Sequence, residues 1–351
     1  MYKKLIVLAA LFMLFVGIMY GCSDDTVCPT SPPSSNNVTA LPANALHVAT
    51  AGQEYFYKQE NGGIEQITHI PYDNMSCKDC HVEQTGCSSC HTADSVGNLQ
   101  KPEDNACFAC HGREAMMKQI YPDVHMTTNG MKCADCHSQE TVHGDGTAYY
   151  SLSQNGAVKE KCEDCHAVAN LSPTAHTSTH LQKVECTACH TQASVTCYNC
   201  HLETEIANGQ KIPYKAGNNW KFLVKKDGKL HTASIMPVEY DNKMFIAIGP
   251  NVSHTIYKPS CSNIMSECHG NSMWSTYTST GKMPLVTWDS TGDSLVFYQG
   301  TIPIPTDYKT AFQFDFVTKD SVGDPGWHHL IPDTLIYQML LCEPLSSSDL
   351  P

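Results

Sequence analysis

Seven times within 125 residues the chain repeats Cys-x-x-Cys-His, and no other feature limits its fold as strongly. The repeats are Cys77–His81, Cys87–His91, Cys107–His111, Cys133–His137, Cys162–His166, Cys186–His190 and Cys197–His201. Two thiols three residues apart, followed directly by His, form the attachment signature of c-type haem. The sulfurs add to the haem vinyl groups as thioethers, and the His faces the iron as proximal ligand. Cys-x-x-Cys alone also suits a zinc site or a disulfide scaffold. The His after all seven pairs separates these readings. Seven porphyrins leave too little protein for an ordinary apolar core, so the haems are expected to be the core of this region. One helical turn presents both thiols and the His to one haem. Helices should therefore be short, with Arg113–Ile120 the longest element expected.

The regular thioether ligands are Cys77, Cys80, Cys87, Cys90, Cys107, Cys110, Cys133, Cys136, Cys162, Cys165, Cys186, Cys189, Cys197 and Cys200. The proximal ligands are His81, His91, His111, His137, His166, His190 and His201. Cys261-Ser-Asn-Ile-Met-Ser-Glu-Cys268-His269 reads as the same motif stretched to six intervening residues. Its Cys268-His269-Gly270 matches Cys110-His111-Gly112. An eighth haem on Cys261 and Cys268, with His269 on its iron, is the expectation; a haem held by Cys268 alone and a degenerate site without haem are the alternatives.

The histidine count agrees. Of 18, seven belong to the regular motifs, His269 to the stretched one, and His328 and His329 lie far off. The other eight are His47, His69, His125, His143, His176, His180, His231 and His254. Eight spare rings for eight haems is what bis-His ligation requires, and these are the candidate distal ligands. An internal repeat supports this: His69, Met75, Cys77, Asp79 and Cys80 recur 56 residues on as His125, Met131, Cys133, Asp135 and Cys136. Met116, Met117, Met126 and Met131 are read as packing rather than ligation, because His is not scarce. Two short gaps, between His81 and Cys87 and between His190 and Cys197, should bring neighbouring haems close.

Lys3 and Lys4 precede an uninterrupted apolar run of 16 residues, Leu5–Tyr20, too short for a typical membrane span. Residues 1–21 read as a signal peptide. Gly21-Cys22 is similar to a lipoprotein cleavage site, which would make Cys22 the lipidated first residue and anchor the protein to a membrane. Ser23–Ala45, rich in Ser, Pro, Asn and Thr, reads as a disordered tether containing Cys28. Export fits covalent haem attachment, which in bacteria takes place outside the cytoplasm. The expected location is periplasmic or at the outer membrane and cell surface. With 35 acidic against 22 basic residues the formal charge is −13, and haem propionates would add to it. That argues against nucleic acid and for redox partners with basic docking patches.

After residue 205 the texture changes. A hairpin is expected about Asp227-Gly228, a second strand pair within Pro237–Ile248, and a third flanking Asp289–Asp293. Alternation of Phe312, Phe314 and Phe316 reads as a half-buried strand, and Pro303 and Pro305 as an edge or extended segment. Tyr55, Phe56 and Tyr57 suggest a short strand or a wrap over the first haem. Cys342 reads as a buried free thiol.

These motifs and spare histidines resemble the multihaem cytochromes c, specifically the octahaem type, over roughly residues 47–270. The resemblance implies a mostly irregular, short-helical haem core spanning 46–205. A small antiparallel β module would follow over 206–351 and carry the eighth haem. It also implies electron transport along closely packed bis-His haems. Redox proteins, extracellular acceptors or further copies in a filament would be the partners. In a filament, one axial His comes from the next subunit, and His47 is the candidate donor. Octahaem reductases share the vocabulary but keep one iron open. The chain departs from the pentahaem nitrite reductases in lacking Cys-x-x-Cys-Lys. An open iron would have to sit at the irregular site, near Lys258. The reading is a carrier rather than an enzyme, with no catalytic residue assigned.

Overall fold

A computed structural model describes residues 45, 47, 51–75, 87–151, 153–200, 213–241, 243–291, 294–318, 328–330 and 336–350. The expected signal peptide, Cys22, the tether, and Cys77, Cys80, His81 and His201 lie outside these residues. Among the described residues no helix is long and apolar enough to cross a membrane. The chain forms two compact units, Met1–Ser34 with Lys161–Leu171, and Ser35–Glu160 with Ser172–Pro351. In the first, the described part holds two 3-10 turns, Cys162–Asp164 and Val168–Asn170. All that follows concerns the second unless stated.

Each described motif up to the sixth closes one tight turn. The backbone N–H of the motif His donates to the carbonyl of the first Cys at 2.8 Å in Cys87–His91 and 2.9 Å in both Cys107–His111 and Cys133–His137. In the first unit the same bond closes Cys162–His166 at 2.8 Å. Cys186–His190 is a short helix in its own right. Short turns and helices carry the region, and Gly112–Ile120 is its one helix of nine residues among those described.

The strands are β1 (Ser194–Cys200), β2 (Pro213–Lys226), β3 (Lys229–Tyr240), β4 (Lys243–Pro250), β5 (Met283–Trp288) and β6 (Leu295–Phe297). They continue with β7 (Gly300–Pro303), β8 (Phe312–Phe314), β9 (Phe316–Thr318), β10 (His328–Leu330) and β11 (Ile336–Leu340). The main sheet runs β1-β2-β3-β4-β11, with β7 also on β2; β6-β5-β8 form a second sheet, and β9 pairs with β10. The hairpin β2–β3 turns at Asp227-Gly228, whose φ angles of +52° and +79° suit a primed two-residue turn. The pairs β3–β4 and β5–β6 also form where the sequence places them.

Pro303 is buried and ends β7, which ladders to β2 alone among the described strands, so the edge reading holds there. Two expectations change. The β module is mixed rather than antiparallel, because β11 on β4, β7 on β2 and β8 on β5 are parallel pairs made by returning crossovers. Residues Ala51–Tyr57 form a helix, not a strand. A Glu54–Lys58 ion pair at i,i+4 supports that helix, and its Tyr57 hydroxyl bonds Thr68 and the Ile70 carbonyl. The reason is burial on both faces of the main sheet. Ile246 and Ile248 face one core with Trp220, Phe222 and Phe316, while Phe245 and Ala247 face another with Tyr57, Ile67, Tyr72 and Met75. The segment before the first motif thus covers the sheet. Strand β1, from the motif region, belongs to that same sheet, so residue 205 is no structural boundary there. Cys342 is a free, half-buried thiol that burial pushes up to about 12.

Phe245 is fully buried between the sheet and the 51–75 segment. Phe245→Ala should cost about 3–5 kcal/mol, read as a lower denaturation midpoint. A loss no larger than that of a surface substitution would refute this packing.

Candidate functional site

The short turns place five motif histidines, and each meets a spare one. Ring centroids lie 5.9 Å apart for His111 and His47, 5.9 Å for His91 and His143, and 6.0 Å for His137 and His254. They lie 6.0 Å apart for His190 and His176, and 6.2 Å for His269 and His180. Every pair couples one motif ring with one ring from the spare set. The stretched motif takes part on the same terms as the regular ones.

The separation has a chemical meaning. An imidazole nitrogen sits about 2 Å from a metal it binds, and the ring centre about 1 Å behind, so two rings on one ion have centroids roughly 6 Å apart. Two imidazoles complete the coordination of an iron already held by four porphyrin nitrogens. No group of three or more His, Cys, Asp or Glu among the described residues could hold a bare metal ion. A pair of rings would fit an ion that arrives inside a macrocycle, and the paired Cys could supply a covalent tether.

Hydrogen bonds at the other ring nitrogen fit the same role. His91 Nδ1 pairs with the Gln100 carbonyl at 2.7 Å, His176 with Ser172 at 3.0 Å and His180 with Ala175 at 2.8 Å. His190 pairs with the Tyr257 carbonyl at 3.1 Å and His231 with Thr232 at 2.7 Å. His254 Nδ1 meets the Glu114 carboxylate at 2.8 Å. His125 and His137 stand 3.6 and 3.8 Å from Asp123 and Glu160. A ring that donates from Nδ1 keeps the lone pair of Nε2 for a metal, and the partner fixes its orientation. Burial lowers the pKa of His47, His137 and His143 and favours the neutral, ligating form. His254 is raised instead, through its bond to Glu114.

The sites adjoin one another. His47 has His111, His137 and His143 as electrostatic neighbours. Cys90 lies beside Cys107 and Cys110, and Cys133 beside Cys107. The Asp104 carboxylate accepts from the Cys133 N–H at 2.9 Å and ties the third motif to the fourth. Three residues after His254, Tyr257 binds His190 from the next site. His176 and His180 are four residues apart, and Cys189 lies beside Cys268. The five pairs form a contiguous run through the second, third, fourth, sixth and stretched motifs.

The stretched motif is helical: Cys261–Ile264 passes into a π-turn, Met265–His269. Beside it a fully buried Lys221 pairs with Glu267, which also accepts from Thr301. His69 adopts a left-handed backbone, φ +53°, at the end of a helical turn, whereas His125 sits in the turn Val124–Thr128. At the upstream histidine the repeat is one of sequence and not of local structure. The seventh motif differs from the other described motifs, since Ser194–Cys200 is strand β1, laddered to β2. In the first unit Cys165 is disulfide-bonded, which a thioether at the same sulfur would exclude.

Sequence reasoning missed Glu114, Asp123, Glu160 and Lys221, whose partners lie far along the chain. Asp123 is 2% exposed; it accepts from the His125 and Met126 N–H groups at 2.8 and 3.1 Å and from Ile256 N–H at 2.9 Å. Burial opposes its ionisation, but these bonds prevail and hold it at about 2. It locks the His125 turn to the strip that carries His254. Asp123→Ala should cost about 2 kcal/mol of stability, measured by denaturant unfolding; an unchanged midpoint would count against that lock. Comparison with family models, with curated proteins and with solved structures found no match to this chain.

Proposed function

We propose that the chain is an exported octahaem cytochrome c that conducts electrons through closely spaced, bis-His haems. The observation that carries this is the set of five opposed ring pairs, each joining one motif His to one spare His. On this reading the second partner of each iron would be His143 at the second motif, His47 at the third, His254 at the fourth, His176 at the sixth and His180 at the stretched one. The remaining motif rings, His81, His166 and His201, are matched in number by His69, His125 and His231.

Haem supplies the one-electron chemistry when bound. The residues of the chain set its terms. Paired rings close both axial positions, which favours electron transfer over substrate binding. Anchored Nδ1 groups hold His91, His176, His180, His190 and His254 in place as charge passes. Adjacent sites shorten the distance an electron must cross. At the stretched motif, His180 takes the position opposite His269, so Lys258 is not needed as ligand, and this speaks for a carrier over a reductase. His47 opposes His111 of its own chain, which speaks against its donation to a neighbouring subunit. Lipidation at Cys22, and delivery to a redox protein or an extracellular acceptor, rest on the sequence.

The intact mass of the exported protein should exceed that of the chain by eight haems, and the oxidised spectrum should be low-spin with no carbon monoxide binding by the reduced form. His180→Ala should open one iron and bring carbon monoxide binding at about one haem per chain. Fewer than seven haems, or carbon monoxide binding by the unaltered protein, would overturn the proposal. A count of seven would remove one site: the stretched one, or the fifth, where Cys165 must first leave its disulfide.

A further inference from the structure

One of the five pairs is unlike the others. The rings of His176 and His190 lie within 8° of parallel, whereas the other four pairs are twisted by 50°, 55°, 51° and 60°. Both rings at this site are anchored to backbone. His176 Nδ1 meets the Ser172 carbonyl at 3.0 Å and His190 Nδ1 the Tyr257 carbonyl at 3.1 Å. Tyr257 N–H donates back to the His190 carbonyl at 2.9 Å, so His190 is clamped at two points by one residue. Neither ring can rotate without breaking a main-chain hydrogen bond.

Ring orientation matters to a low-spin ferric haem. Its unpaired electron occupies one of two iron d orbitals that point above and below the axial rings. Each imidazole donates π density perpendicular to its own plane. Parallel rings act on the same orbital and split the two widely; twisted rings act on both and leave them closer in energy. The first arrangement gives a rhombic magnetic resonance spectrum, the second a broader and more anisotropic one. Reinforced donation into one orbital also favours the ferric state, so a parallel site is harder to reduce than a comparable twisted one. Axial ligation and its hydrogen bonding are among the means by which a protein sets haem potential.

We propose that the His176–His190 haem is a high-energy step in the run of sites, set by its parallel rings. This rests on the bis-His reading above. The site lies between the His137–His254 pair and the His180–His269 pair, through Tyr257 on one side and, on the other, Cys189, an electrostatic neighbour of Cys268. An electron moving between the stretched-motif haem and the other sites of this run crosses it. The stretched-motif haem is thereby partly isolated, able to hold an electron while the rest of the run is oxidised.

The test is low-temperature electron paramagnetic resonance on the intact holoprotein during a redox titration, with His176→Met and His143→Met alongside. The unaltered protein should show a rhombic low-spin component. His176→Met should remove about one haem's worth of rhombic intensity, and His143→Met should remove anisotropic intensity instead. The component lost in His176→Met should be reduced at the lower potential of the two. Absence of any rhombic component in the unaltered protein would overturn the proposal without recourse to a variant. So would loss of anisotropic intensity in His176→Met, or reduction of its component at the higher potential. Failure of the underlying reading looks different: no covalent haem mass, or a predominantly high-spin spectrum.

Discussion

Everything in the motif region depends on two imidazoles facing each other across a gap of about 6 Å. Two rings at that centroid distance gain at most the modest energy of an ordinary aromatic contact. The polypeptide nevertheless brings five such pairs together and spends hydrogen bonds on holding their orientation. On the proposed reading the two rings of each pair would hold one haem iron, and the pair is the unit from which the region is built.

The β module gives that region a wall. Its main sheet is buried on both faces, so it is rigid across its thickness and not merely a cover. The helix Cys186–His190 packs on β3, and the stretched motif reaches the sheet through the buried Lys221–Glu267 pair. A charge buried in this way is costly to leave unpaired. The pair therefore specifies where the π-turn sits against β2. The one site with irregular thiol spacing is also the site most firmly tied to conventional protein structure.

Much of this was legible in the sequence, and the reasons differ by element. The motifs were legible because thioether chemistry fixes spacing locally. The hairpin at Asp227-Gly228 was legible because a primed turn needs left-handed residues at two successive positions. The spare histidines could be counted, yet their pairing could not be read, because the partners of His111 and His137 lie 64 and 117 residues away and nothing local encodes them. The parallel strands escaped for the same reason: β11 reaches β4 only after a long excursion. Aromatic residues at 55–57 misled because bulk suits a strand, whereas here an i,i+4 ion pair and a two-sided sheet favour a helix. The extended seventh motif has no warning in its sequence, which matches the others at every defining position.

Most of the ring anchors have one property in common. Gln100, Ser172, Ala175, Tyr257 and Thr232 act through their carbonyl oxygens, which every amino acid possesses. Replacing those side chains leaves the anchor in place as long as the backbone path is kept. The demands of ligation thus fall on cysteines, histidines and chain geometry, and hardly on residue identity elsewhere. Two proteins built on this plan can retain every ring and every thiol while their remaining sequences drift beyond recognisable likeness.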